Sequence, residues 1–191
     1  SGIMRMKIYN VHEPEINKDH TDNLIKICKN NEISSYGDYP EKCSKIIKNL
    51  TASKYSTLVN TGSSALLTAF KSIGLKVGDI VITSNYTFIA TLNAIKISGG
   101  EPWVFDTCEN SYDLNLNLIE ENLKYQTFKK GKFYYFKKNR KRIYCICPVY
   151  VNGKLQDYKR IKKIAKLYNL KIINDCAGSF LTLCQNKNLI N

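Results

Sequence analysis

The sequence predicts an α/β fold, a mostly parallel sheet with helices on both faces. Three observations lead to it. From residue 56 onward, short β-rich runs alternate with stretches in which apolar residues recur at helical period. Glycines close the helical stretches, at Gly74 and at Gly99-Gly100. The 191 residues, 43% of them hydrophobic, suffice to bury a core. Strands that alternate with helices run parallel and are covered on both faces.

In chain order, Asp19 to Asn30 reads as a helix within an N-terminal helical segment, residues 1–55. The second region, 56–191, opens with a short strand, Ser56 to Val59. Ser63 to Ile73 carries apolar residues at 65, 66, 69, 70 and 73, one helical face, and Gly74 ends it. Val77-Gly78-Asp79 turns into a strand, Ile80 to Thr83, and Phe88 to Ile97 is a helix closed by Gly99-Gly100. Pro102 to Asp106 is a strand and Leu114 to Leu123 a helix. Lys124 to Arg142 reads as a solvent-facing β-hairpin, with Phe133, Tyr134, Tyr135 and Phe136 in one strand and the turn near Lys138-Asn139. Ile143 to Tyr150 is a buried strand. The helix Asp157 to Tyr168 puts Ile161, Ile164, Ala165 and Tyr168 on one face, and Lys171 to Asn174 is a strand around Ile172-Ile173.

Composition excludes several classes. Apolar residues spread along the whole length exclude disorder as the main state, and no short repeat or sustained heptad is present. The longest apolar run, around Tyr144 to Val151, is far short of the roughly 18 to 20 residues of a membrane helix. The start has no signal-peptide core, and Ser1-Gly2 reads as a cloning remnant; the expectation is a soluble, cytoplasmic protein with no membrane partner. The cysteines (Cys28, Cys43, Cys108, Cys145, Cys147, Cys176, Cys184) form no CxxC pair, and the two histidines, His12 and His20, lie near the N-terminus. They read as reduced, small apolar residues, and no metal site is expected.

Net charge is +13, which invites a nucleic-acid reading. Lys outnumbers Arg 25 to 4, however, whereas bidentate recognition of phosphate and guanine favours Arg. Nine of the positive residues sit in KYQTFKKGKFYYFKKNRKR, residues 124–142, which leaves +4 for the rest. Nucleic acid is therefore not the expected partner.

In parallel sheets ligands gather beyond the carboxyl ends of strands, and three features stand there. Asn60-Thr61-Gly62-Ser63-Ser64-Ala65 opens a helix with a glycine, hydroxyls and free N–H groups, which suits a phosphate as well as plain helix capping. Ser84-Asn85-Tyr86-Thr87-Phe88 offers an aromatic that could stack on a planar ring or fill the core. Asp175, in Asp175-Cys176-Ala177-Gly178-Ser179, puts a carboxylate at the end of an apolar strand, as a cap or against a cationic ring nitrogen. A phosphate cradle, a stacking aromatic and a buried carboxylate together meet the needs of pyridoxal 5′-phosphate (PLP).

Order and spacing of these segments resemble the DegT/DnrJ/EryC1/StrS sugar aminotransferases, of the PLP fold type I. The resemblance runs from about Ile8 to Ser179. It is carried by His12-Glu13-Pro14-Glu15-Ile16, Ile33-Ser34-Ser35-Tyr36-Gly37, Val59-Asn60-Thr61-Gly62-Ser63-Ser64-Ala65-Leu66, Gly78-Asp79-Ile80-Val81, Tyr86-Thr87-Phe88-Ile89-Ala90-Thr91, Pro148-Val149-Tyr150-Val151-Asn152-Gly153 with Asp157, and Asn174-Asp175-Cys176-Ala177. The basic hairpin resembles members of legionaminic- and sialic-acid-like pathways. The resemblance implies phosphate contacts at Gly62, Ser63 and Ser64, the stacking ring at Phe88 and the pyridinium partner at Asp175. Gly178 stands where a longer side chain is usual, and would border the cofactor through its backbone.

Length is where the chain departs from the pattern. Members are roughly twice as long, and their Schiff-base lysine lies some tens of residues beyond the Asp175 position. Lys187 follows it by only twelve, in a segment resembling a surface turn, and is not assigned that role; no catalytic residue is assigned in this chain. Residues 56–191 are thus expected to form an incomplete large domain, with a homodimer mate or a complementing C-terminal chain as partner. The implied reaction moves an amino group from glutamate to a keto carbon of a nucleotide-linked sugar. A catalytically inactive remnant or binding subunit, a PLP-dependent sugar dehydratase and a basic nucleic-acid binder are the alternatives.

Overall fold

The computed structural model describes residues 14–34, 37–180 and 182. The chain divides into two compact units, Ser1–Cys43 and Ser44–Asn191. In the first unit, helix α1 spans Lys18–Lys29. Asn17 caps it reciprocally: its side chain accepts from the His20 N–H at 3.0 Å, and His20 Nδ1 accepts from the Asn17 N–H at 3.3 Å. Helix α2, Asp38–Thr51, begins in this unit and runs on into the second. The sequence pattern does not single out that helix. Pro40 reads as a breaker, yet it stands in the first turn, where its missing N–H is not needed.

The second unit holds α3 (Gly62–Ser72), β1 (Ile80–Ser84), α4 (Ile89–Ile97), β2 (Glu101–Phe105), α5 (Leu116–Gln126), β3 (Thr127–Lys130), β4 (Phe133–Phe136), β5 (Arg142–Cys147), α6 (Tyr158–Tyr168) and β6 (Lys171–Ile172). These form an α/β fold around one sheet, in the order β2-β1-β5-β4-β3 with β6 also on β5. Pairs β1–β2, β1–β5 and β5–β6 are parallel, and β3–β4 and β4–β5 antiparallel. The sheet is therefore mixed rather than mostly parallel. The basic segment causes the difference, because a tight connection can only return a strand antiparallel.

That segment turns twice. Gly131, at φ +61°, links β3 to β4, and the second turn, residues 137–141, links β4 to β5 with Arg140 at φ 58°. The turn expected near Lys138-Asn139 is thus the second of two. On β5, β4 pairs with Arg142 and Ile143 whereas β6 pairs with Cys145 and Ile146, so two strands share one edge. Tyr144, between them, is passed over in the register with β1, in which Ile80 faces Ile143 and Val81 faces Cys145. This bulge lets both Tyr144 and Cys145 reach the same core.

Both faces of the sheet are covered. Ile80, Ile82, Ile143 and Ile146 pack with α5 and α6 through Ile119, Leu123, Ile161 and Ile164. Val81, Tyr144, Cys145 and Cys147 pack with α3 and α4 through Phe70, Ala94 and Ile95. Asp79, ahead of β1, ties in the hairpin: its carboxylate accepts from Arg142 Nε at 2.8 Å and Nη2, and from the Lys76 N–H at 2.8 Å. The guanidinium lies 4.0 Å from the Tyr144 ring centroid, and the hydrogen bond to Asp79 raises its pKa further.

Ser56 to Val59, expected as the first strand, is not one. It pairs with no strand among the described residues, and Leu58 and Val59 remain exposed. Apolar alternation can mark an extended segment, but a ladder needs a neighbour. Likewise β5 stops at Cys147, before Pro148, which has no N–H to donate.

Candidate functional site

The carboxyl ends of β1, β5 and β6 and the helix starts beside them carry the candidate residues. Beyond β6 the chain keeps to the edge of β5. The Ile173 N–H donates to the Ile146 carbonyl (3.1 Å), the Asp175 N–H to that of Pro148 (3.0 Å), and the Tyr150 N–H to that of Asp175 (2.9 Å). Asp175 is therefore held by its backbone on both sides, and is only 7% exposed. Its Oδ2 accepts a 2.6 Å hydrogen bond from Thr91 Oγ1, and its Oδ1 a 3.3 Å bond from the Ala177 N–H. None of the ion pairs among the described residues involves Asp175. A buried carboxylate without a counter-charge is a place where an incoming cationic N–H is stabilised.

Helix α3 begins beside it. Thr61 is the N-cap: its Oγ1 accepts from the Ser64 N–H at 3.1 Å and lies 3.0 Å from Ser64 Oγ. The Ala65 N–H closes the first turn on the Thr61 carbonyl. The remaining N–H groups of the first turn, with the positive end of the helix dipole, make this an anion-accepting end. Phe88 is the N-cap of α4 and is 79% exposed, unusual for so large an apolar ring.

Ser63, Ser64 and Phe88 line one cleft of about 300 Å³, along with Ile89, Asn93 and Ile97. Gly62 and Asp175 line a second, of about 380 Å³, with Asn174, Cys176, Ala177 and Phe180. The start of α3 contributes to both. Gly178 lines neither: a Cβ on it would stand 3.1 Å from the Tyr150 carbonyl, and its own carbonyl accepts from the Gly153 N–H. Lys187, Cys184 and His12 lie outside the described residues, as do Ser35 and Tyr36.

Sequence pattern alone does not single out Thr61, Thr87 and Thr91. Thr87 and Thr91 stand four residues apart at a helix start, and their hydroxyls meet at 2.8 Å. That spacing is a usable signal; the partner carboxylate, 84 residues away, is not.

Cys147 lies under the same site, fully buried, and burial pushes its thiol well up, with the charges of Cys145 and Asp175 adding to the effect. Burial pushes Cys145 up to about 12. Neither thiol is a nucleophile at neutral pH.

Comparison with known proteins agrees with this fold. The profile of the DegT/DnrJ/EryC1/StrS aminotransferase family matches residues 14–190. GDP-perosamine synthase of Escherichia coli O157:H7 is 29% identical over 92% of this chain and 44% of its own length. The 3-oxo-glucose-6-phosphate:glutamate aminotransferase of Bacillus subtilis (strain 168) is 30% identical, over 86% of this chain and 34% of its own. The chain thus spans less than half the length of these relatives. An aminotransferase from Psychrobacter cryohalolentis shares the fold, with TM-score 0.74 at 22% identity over 87% of this chain and 38% of that one. NtdA from Bacillus subtilis with bound cofactor PMP superposes with TM-score 0.72 at 25% identity, over 86% of this chain and 35% of that one. The chain belongs to the DegT/DnrJ/EryC1/StrS aminotransferase family.

Proposed function

We propose that this chain supplies the cofactor-holding part of a PLP-dependent aminotransferase. The single observation that carries the reading is Asp175: a strand-end carboxylate, buried without a counter-charge among the described residues, hydrogen-bonded from Thr91 and lining the cleft at the start of α3. The donor set fits PLP. An N–H-bearing helix end with the hydroxyls of Ser63 and Ser64 suits a dianionic phosphate. Phe88, exposed on the neighbouring cleft, suits a ring face, and Asp175 suits a protonated ring nitrogen. When bound, PLP supplies an electron sink for charge developing at the substrate carbon.

In this reading Gly62, Ser63 and Ser64 bind the phosphate and fix the cofactor's register. Phe88 orients the ring and excludes water from one side of it. Asp175 keeps a proton on the ring nitrogen, the condition for the electron sink. Gly178 keeps the 150–153 turn close by its lack of a side chain. No lysine of this chain is assigned to the chemistry, so a complementing chain or further C-terminal sequence provides it.

The complete enzyme then moves an amino group from glutamate to a keto carbon of a nucleotide-linked sugar. Supporting this, one relative carries a nucleotide sugar in its name and another carries glutamate. The experiment is PLP binding by equilibrium dialysis with the wild-type chain and Asp175→Ala. The wild type is expected to bind, and the variant to lose at least about tenfold in affinity, the scale of a buried charge-assisted hydrogen bond. Equal binding by both removes the reading.

A further inference from the structure

We propose that Thr91 is a positioning residue for Asp175: its hydroxyl occupies one carboxylate oxygen, Oδ2, and so reserves Oδ1 for a cationic N–H in the adjoining cleft. The inference rests on the cofactor reading above and specifies how its anchoring carboxylate is held.

Hydrogen-bond bookkeeping gives the direction of the chain of hydroxyls. An ionised carboxylate only accepts, so across the 2.6 Å contact Thr91 must donate to Asp175. A hydroxyl carries one proton, and that of Thr91 is then committed. The 2.8 Å contact between Thr91 and Thr87 therefore has Thr87 as donor. The other acceptor within reach of Thr87, the Phe88 carbonyl, is farther, at 3.2 Å. The relay runs Thr87 to Thr91 to Asp175.

Two consequences follow from the geometry. Thr91 is fully buried, so no water replaces its hydroxyl at Oδ2 without a rearrangement of the core. Among the described residues Oδ1 holds only the long amide bond from Ala177, at 3.3 Å, and has capacity left for a strong donor. The relay also starts at the residue before Phe88, the N-cap of α4. The carboxylate and the exposed ring are thereby anchored to one helix start, although 87 positions separate them in sequence.

The test uses the full chain with Thr91→Val, which removes the hydroxyl and keeps the shape, Thr91→Ser, which restores it, and Thr87→Val, which breaks the outer link from a half-buried position. Two quantities are measured: PLP affinity by equilibrium dialysis, and the ¹³Cγ resonance of Asp175 in the ligand-free protein at pH 7. Thr91→Val is expected to weaken PLP about tenfold and to move the Asp175 resonance, with Thr91→Ser returning both most of the way. Thr87→Val is expected to move both in the same direction by less, and it serves as the deciding variant if Thr91→Val does not fold. Affinity and resonance unchanged in Thr91→Val, or in Thr87→Val when that variant decides, overturn the proposal. If Asp175→Ala binds PLP as the wild type does, the cofactor reading fails; the resonance, shifted and rescued or not, then decides the role of Thr91 by itself.

Discussion

Asp175 and Asp79 are both buried carboxylates of the same domain, and their surroundings separate the binding role proposed for Asp175 from the structural role of Asp79. Asp79 meets a guanidinium through two nitrogens and is saturated; among the described residues Asp175 meets a hydroxyl and an amide and is not. Asp79→Ala is expected to lower the unfolding free energy by about 3 kcal/mol in urea titrations, because it leaves the half-buried Arg142 charge without its partner. Replacing both partners with apolar residues is expected to recover much of that loss. The buried thiols predict a pH dependence. Cys145, held at about 12 against an ordinary value of 9.0, keeps its proton in the folded state while the unfolded chain loses it. Cys147 is displaced in the same direction. The contribution of these thiols to stability is therefore full below pH 9 and is lost as pH rises from there toward 12, which thermal melts across that range will show. Exposed Cys28 and Cys43 are expected to react with a thiol reagent at once, and Cys145 and Cys147 only on unfolding.

Elements were legible where periodicity and punctuation agreed. Helix α6 is the clearest: Asp157 caps it, Tyr158, Ile161, Ile164, Ala165 and Tyr168 make its buried face, and Asn169 ends it at φ 53°. Ile161→Ala is expected to cost about 2–5 kcal/mol in urea titrations, since Ile161 is wholly buried between sheet and helices. Elements were illegible where their existence depends on a neighbour. Ser56 to Val59 has the pattern of a strand and no ladder among the described residues. The bulge at Tyr144 breaks the alternation of β5 where its neighbour changes from β4 to β6, an event that alternation along one strand cannot announce. Tyr144 is fixed there by a hydrogen bond from its hydroxyl to the Ile73 carbonyl.

For the whole molecule, the match to 34–44% of the length of its relatives makes chemistry by these 191 residues alone the point to measure. Borohydride reduction in the presence of PLP is expected to leave the 21.9 kDa chain without a specific adduct, and to produce one when a complementing chain is present. A specific adduct on the isolated chain, read by intact mass, would assign the lysine here. The sequence by itself determined the α/β class, most of its helices, and the identity of Ser63, Ser64, Phe88 and Asp175 as candidates, because capping, period and residue chemistry are local properties. Only the tertiary structure decided that the sheet is mixed, that β4 and β6 share one edge of β5, that Gly178 lines neither cleft, and that Thr91 holds Asp175. Each of these depends on which distant segments meet, and that is set by burial across the sheet rather than by any stretch of chain read alone.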